Sequence, residues 1–268
     1  MKIDGHIHTP YCPHGTSDPF KAYVEEALKQ GYSSMSFTEH APLPPSFLDP
    51  VPDKDSGMDL RLLERYIQDI EQIKKEYQKD IDILIGLEVD YIDGYEQETT
   101  EFLTRYGSRL DDSILSVHFL KGPDHYHCID FSEAAFQHAI DDFGSLEKVY
   151  QAYFRTLEKS IQADLGPFKP GRIGHMTLVR KFHHHFPSPA DWDAPISALL
   201  EKVKQGRYQL DYNAAGYFKP ACLESYPPQR IARQAYQAGI ELIYGSDAHK
   251  STGIGQGFDR IDHTLTTG

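Results

Sequence analysis

His6 and His8 stand two residues apart in Asp4-Gly5-His6-Ile7-His8-Thr9. Alternate side chains of a β-strand share a face, so two imidazoles at this spacing can reach one metal ion. Alone, the pair reads equally as two buried histidines of a first strand. Comparable residues recur downstream: Thr38-Glu39-His40, Glu88-Val89-Asp90, Ser116-Val117-His118, Gly174-His175 and Ser246-Asp247-Ala248-His249. One such residue is explained by a capping or solvated role. The whole set is not, because imidazoles and carboxylates crowded into one cavity are costly to bury unless cations neutralise them.

The elements that would position these residues alternate along the chain. Residues 2–8 read as a strand. Asp18-Pro19 reads as a helix start with Asp18 as N-cap, followed by an apolar face of Phe20, Tyr23, Val24, Ala27 and Leu28 and ended at Gly31. Further strands are expected at 32–40, 81–88, 113–119, 171–176, 208–214 and 240–245. Helices are expected at 59–79, 96–106, 145–165, 194–205 and from Pro227-Pro228 to about Gly239, with a loop at 121–132. Seven strands alternating with helices, without a linker or repeat, predict an α/β fold: a seven-stranded (β/α) barrel over a single domain, 1–268. A doubly wound open sheet is the alternative. In a barrel the C-terminal strand ends gather on one face, where active sites of such folds lie. Every metal-type residue above sits at such an end.

His6, His8, His40, Glu88, His118, His175, Asp247 and His249 are too many ligands for one ion, so two or three metals are expected. Paired metals suit phosphoryl chemistry, where they clamp attacking and leaving oxygens. Nitrogen and oxygen donors without sulfur fit zinc, iron or manganese.

Composition narrows the classes. The sequence has 268 residues, 40% hydrophobic and 25% charged, with 14 histidines and a formal charge of −13. That balance is a poor match for nucleic acid. Cys12, Cys128 and Cys222 are far apart and show no Cys-x-x-Cys spacing, which fits a reducing cytoplasm. No apolar stretch approaches a membrane span, and residues 1–4 do not start a signal peptide.

Taken in order, Asp4-Gly5-His6-Ile7-His8-Thr9-Pro10, Thr38-Glu39-His40, Gly86-Leu87-Glu88, Ser116-Val117-His118-Phe119, Gly174-His175 and Gly245-Ser246-Asp247-Ala248-His249 resemble the motifs of the polymerase and histidinol phosphatase (PHP) superfamily. The resemblance spans essentially the whole chain. Cys12-Pro13-His14-Gly15, Asn213-Ala214-Ala215-Gly216 and Glu224-Ser225-Tyr226-Pro227 resemble its histidinol-phosphatase branch. The resemblance implies a distorted seven-stranded barrel, TIM-like, with three metals. His6, His8, Glu88 and Asp247 would hold the first. Glu88 would bridge to a second, completed by His118 and His175. His14, His40 and His249 would hold the third; position 14 is often Asp in the wider superfamily, and Asp18 is a rival ligand there. The implied activity is metal-dependent hydrolysis of L-histidinol phosphate, a small-molecule ester of histidine biosynthesis, with Glu88, Asp247 and His40 as catalytic residues. A metal-bound water with its pKa lowered to about 7 would be the nucleophile, attacking phosphorus in line.

Arg180, Lys181 and Lys219 follow strands five and six and are the candidates to bind the phosphate dianion, with Arg155 a weaker one. His125 and His127 read as solvated loop residues, and His183-His184-His185 as exposed loop, since three adjacent side chains diverge. Gly253-Ile254-Gly255-Gln256-Gly257 is no phosphate loop, because no Lys-Ser/Thr follows. The alternatives are another PHP-type phosphoesterase acting on nucleotides or nucleic-acid ends, a metal-dependent amidohydrolase, and a non-catalytic metal-binding protein. Amidohydrolase barrels usually need a bridging lysine where Glu88 stands.

Overall fold

A computed structural model describes residues 2–267; Met1 and Gly268, the outermost positions of the expected domain, lie outside them. Its strands are β1 (Ile3–Ile7), β2 (Ser34–His40), β3 (Asp82–Asp90), β4 (Ile114–Ser116), β5 (Phe119–Lys121), β6 (Tyr126–Cys128), β7 (Arg172–Ile173), β8 (Gln209–Asn213) and β9 (Leu242–Gly245). Its α-helices are α1 (Phe20–Lys29), α2 (Leu63–Glu76), α3 (Glu96–Tyr106), α4 (Glu133–Phe143), α5 (Leu146–Gln162), α6 (Ile196–Gln205) and α7 (Gln229–Gln237).

Seven strands form one parallel sheet in the order β1-β2-β3-β4-β7-β8-β9. The two edges meet: His8 N–H donates to Ala248 O at 2.9 Å, and Asp247 N–H donates to His6 O at 2.8 Å. Ile7 and Ala248 form an isolated parallel bridge there. The result is a nearly closed barrel, not the open-sheet alternative. The register of β1 against β2 shifts between Asp4 and Ile7. Such an irregularity re-aims the side chains beside it, and His6 lies within it.

Local sequence explains the elements. Ser132 and Ser145 cap α4 and α5, their hydroxyls accepting from Ala135 N at 3.1 Å and Lys148 N at 3.3 Å. Gly144, at φ 84°, closes α4 in the left-handed conformation that glycine adopts without strain. On α2, Leu63, Tyr66, Ile67, Ile70 and Ile73 face the barrel and are buried. Fully burying each such aliphatic side chain is worth about 1.5–3 kcal/mol. At the opposite end from the strand tips, the Arg172 side chain, 1% exposed, crosses the barrel interior and donates to Gly5 O at 2.9 Å and to Asp112. A Cβ on Gly5 would lie 2.3 Å from Arg172 Nη1, so only glycine leaves room for the guanidinium.

Two expectations need correction. Asp18 does not cap α1. The helix starts at Phe20 with no side-chain cap, and the Asp18 carboxylate accepts from Ser251 N at 2.9 Å and Ser251 Oγ at 2.7 Å. Residues 121–132 are not one loop: Phe119–Lys121 and Tyr126–Cys128 pair as an antiparallel hairpin. The next segment forms α4, whose Phe136 and Ala139 are buried. This insertion replaces a simple strand-to-helix step after β4.

Candidate metal centre

The strand tips converge on Glu88, at the C-terminal end of β3 and 1% exposed. Its Oε1 lies 2.8 Å from His175 Nε2 and 3.7 Å from His118 Nε2. Its Oε2 lies 3.2 Å from His40 Nδ1, 3.4 Å from His6 Nε2 and 3.6 Å from His8 Nε2. Asp247 Oδ1 stands 3.1 Å from His8 Nε2 and 3.9 Å from His6 Nε2. Asp247 holds this place with φ at 53°, in the left-handed region that non-glycine residues adopt uncommonly.

Donor atoms fall into three groups, each within 4.8 Å: His6, His8 and Asp247; Glu88, His118 and His175; and His8, Cys12, His40 and His249. Burial, and after it Glu39, pushes the Cys12 thiol up, so its metal-binding thiolate is disfavoured. His14 lies beside the third group, its ring centroid 5.0 Å from that of His40 and 5.2 Å from that of His249. Its Nδ1 is 3.0 Å from Asp55 O.

Three carboxylates behind the imidazoles fix their orientation. Asp211 Oδ2 accepts from His6 Nδ1 at 2.8 Å, Glu39 Oε1 from His8 Nδ1 at 3.2 Å, and Asp90 Oδ1 from His118 Nδ1 at 2.7 Å. Each partner turns the Nε2 lone pair toward the centre, the arrangement that metal-ligating histidines use. These are the residues that sequence reasoning missed. The available signal was position: Asp90 lies two residues after Glu88, Glu39 precedes His40, and Asp211 points inward from the one strand that lacked a ligand at its tip.

The electrostatics are those of a cation site. Burial alone would lower His6, but Asp211, Glu88 and Asp247 outweigh it and hold that imidazole well above its ordinary value. In the same way His8 rises to about 9, through Asp247 and Glu39, and His118 to about 10, through Asp90 and Glu88. Burial would raise Glu88, yet the facing imidazoles, His6 and His118 foremost, keep it well below the carboxylate range. His40 and His249 are lowered by burial and then by His8, so both stay neutral. His6 Nε2, His8 Nε2, both nitrogens of His40 and His175 Nδ1 are buried without a hydrogen-bond partner among the described residues. Five orphaned imidazole nitrogens around buried carboxylates fit divalent metal ions, which accept such lone pairs directly.

The cluster opens into a cavity of about 540 Å³. Lys181, Lys219 and Lys250 reach its wall, as do Asp90, Asp130 and Phe131. Lys181 Nζ donates to the Asp130 carboxylate at 3.0 Å. Arg180 does not line the cavity. Its guanidinium donates to Glu224 Oε1 and Ser188 Oγ, both at 2.6 Å, and lies 4.1 Å from the Trp192 ring. The short turn at Leu178–Arg180 aims it away from the strand tips. Arg155 is exposed and lines a different surface groove. Two loop readings also change. His127 is buried, not solvated. His183 is half-buried with Nε2 at 2.8 Å from Cys222 O, while His184 and His185 are exposed. Gly253 and Gln256 of the glycine-rich stretch also line the cavity.

Residues 4–215 match the PHP domain family. A histidinol-phosphatase of Bacillus subtilis is 47% identical over 261 residues, 97% of each chain. A candidate histidinol phosphatase of Listeria monocytogenes has a solved structure that superposes with a TM-score of 0.92 at 38% identity, covering 97% of this chain and 99% of that one. A Lactococcus lactis histidinol phosphate phosphatase, solved with zinc, L-histidinol and phosphate, shares the fold at 20% identity and a TM-score of 0.70, covering 99% and 94%. No helix among the described residues is long and apolar enough to cross a membrane. With the family matched along most of its length and close relatives along nearly all of it, the chain belongs to the PHP family, in its histidinol-phosphatase branch.

Proposed function

We propose that this chain hydrolyses L-histidinol phosphate to L-histidinol and phosphate, as one metal-dependent domain in the cytoplasm serving histidine biosynthesis. The carrying observation is Glu88, a buried carboxylate with five imidazoles within 3.7 Å. The B. subtilis relative carries the substrate assignment.

In this reading His6, His8, Glu88 and Asp247 hold one ion, Glu88, His118 and His175 a second, and His14, His40 and His249 a third. Bound zinc, iron or manganese supplies Lewis acidity toward phosphate oxygens and an activated water at neutral pH. The chain's own residues do the rest. Lys181 and Lys219 bring positive charge to the cavity wall to receive the phosphoryl dianion. Asp90 and Asp130 place negative charge on that wall, suited to the cationic head of the substrate. His40, kept neutral by its burial, keeps an imidazole lone pair free for an ion beside Glu88.

The test is phosphate release from histidinol phosphate by the purified, zinc- or manganese-loaded protein, with nucleotides, a DNA end and a hydantoin-type amide run in parallel. Turnover of the ester alone is expected. Turnover of one of the others in its place overturns the substrate assignment. Glu88→Ala is expected to lower kcat at least 1000-fold, and retained activity would refute the shared carboxylate.

A further inference from the structure

A second set of metal-type donors lies on the hairpin, outside the cavity. His127 lies in β6 and His125 two positions earlier, just before that strand, and their rings lie side by side. Asp142 reaches them from the last turn of α4. His125 Nε2 and His127 Nε2 each stand 3.2 Å from the same oxygen, Asp142 Oδ2. The two ring centroids are 4.4 Å apart, and the three donor atoms lie within 4.8 Å of one another.

His127 is only 5% exposed, and its Nε2 has no hydrogen-bond partner among the described residues. The nearby carboxylate oxygen is at ion-pair distance but not in hydrogen-bond geometry. Leaving a buried polar atom unpaired costs about 1–3 kcal/mol, so this nitrogen calls for a partner. Around a tetrahedral zinc-type ion with arms of about 2.0–2.1 Å, neighbouring donors sit about 3.3 Å apart. The two His–Asp142 separations of 3.2 Å match that edge.

We propose that His125 Nε2, His127 Nε2 and Asp142 Oδ2 form a surface site for one zinc-type divalent cation, with the remaining position taken by water. Two imidazoles and one carboxylate favour zinc, nickel or copper over calcium or magnesium. Burial, followed by the neighbouring His125, lowers His127 below its ordinary value, which keeps the imidazole in its ligating form. The ion ties the β5–β6 hairpin to α4. Cys128, Asp130 and Phe131, immediately after His127, line the cavity, so the site braces that wall. The other outlying group, His183, Cys222 and Glu224, carries no such case. His183 Nε2 is already 2.8 Å from Cys222 O, and Glu224 accepts from Arg180.

The experiment counts metal. Wild type, His125→Gln and Asp142→Asn are dialysed against zinc chloride and analysed by plasma mass spectrometry, with circular dichroism to verify the fold. Both substituted side chains are exposed, so folding is expected to survive. Each variant should retain one zinc equivalent fewer than wild type, with phosphate release unchanged within about twofold. An unchanged count in both variants overturns the site. On the wild-type protein itself, zinc should shift the Nε2 resonances of His125 and His127 in long-range proton–nitrogen spectra. Resonances unmoved at saturating zinc overturn it equally.

Discussion

Asp211→Ala removes the carboxylate behind His6 while leaving every ligand of the proposed centre in the sequence. Asp211 Oδ2 accepts from His6 Nδ1 at 2.8 Å and from Asn213 Nδ2 at 3.1 Å. Without it the His6 imidazole can carry its proton on either nitrogen, and the Nε2 lone pair facing Glu88 is no longer assured. Losing such an orienting partner costs about 10–100-fold in metal affinity or activity, or about 1.4–2.7 kcal/mol. The upper half of that range is expected, because both side chains are 0% exposed and water has no route to substitute. Asp211→Asn keeps an oxygen in place and loses only the charge, so about tenfold or less is expected. Gly245→Ala offers a third route, since its Cβ would lie 2.4 Å from Asp211 Oδ1 and 2.6 Å from His6 Cβ. The assay is zinc titration of chelator-stripped protein against a competing chromophoric chelator, followed by phosphate release from histidinol phosphate. The expected order is wild type, then Asp211→Asn, then Asp211→Ala. Zinc affinity and turnover of Asp211→Ala within twofold of wild type would falsify the orienting role.

Metal uptake is expected to tighten with rising pH. His8, at about 9, and His118, at about 10, are protonated near neutrality, and those protons must leave before Nε2 can ligate. Each displaced proton gives about tenfold per pH unit between pH 6 and 8, so a pH-independent zinc affinity over that span would contradict the charge assignment. Arg172→Met leaves the Asp112 carboxylate with Ser36 Oγ, at 2.7 Å, as its remaining partner. A loss of about 3 kcal/mol is expected from breaking a buried pair, read as the urea midpoint at fixed zinc. Lys219→Met should raise KM for the phosphate ester about tenfold, the size of one charge-assisted hydrogen bond, with kcat nearly unchanged. Arg180→Met should leave KM alone and instead lower the melting temperature, because its guanidinium is occupied by Glu224 and Ser188.

The parts of the fold legible in the sequence were those with local signals. Helix α3 falls on Glu96–Tyr106 as the spacing predicts, and Ser145 caps α5 through a local hydrogen bond. The ligand-type residues were legible because the barrel repeats one placement, the strand tip, and repetition survives without knowledge of three-dimensional contacts. The supporting role of the carboxylates was not: Glu39 and Asp90 stand inside the quoted stretches with no partner to be read locally, and Asp211 meets His6 across 205 positions and belongs to no motif. Arg180 misled for the opposite reason. Its chain position beside His175 is favourable, but a single turn of backbone decides which way a long side chain points. Asp18-Pro19 carried a genuine helix-start pattern, which the Ser251 loop overrode by offering that carboxylate two donors. The hairpin went unread because three-residue strands present no alternation to detect, and α4 went unread although Ser132 and Gly144 mark its two ends.

The seam between β1 and β9 has a consequence for biosynthesis. Ser246 N donates to the Asp4 carboxylate from 242 positions away, and His6 and His8 meet Asp247 across the same join. A ribosome adding roughly 5–20 residues per second exposes the first two histidines roughly 12–50 seconds before Asp247 exists. During that interval the nascent chain offers His6 and His8 to any metal, but not the site that would select one. Choice of ion is thus postponed to release of the finished chain, and a chain cut short before residue 247 should hold metal loosely and turn over nothing.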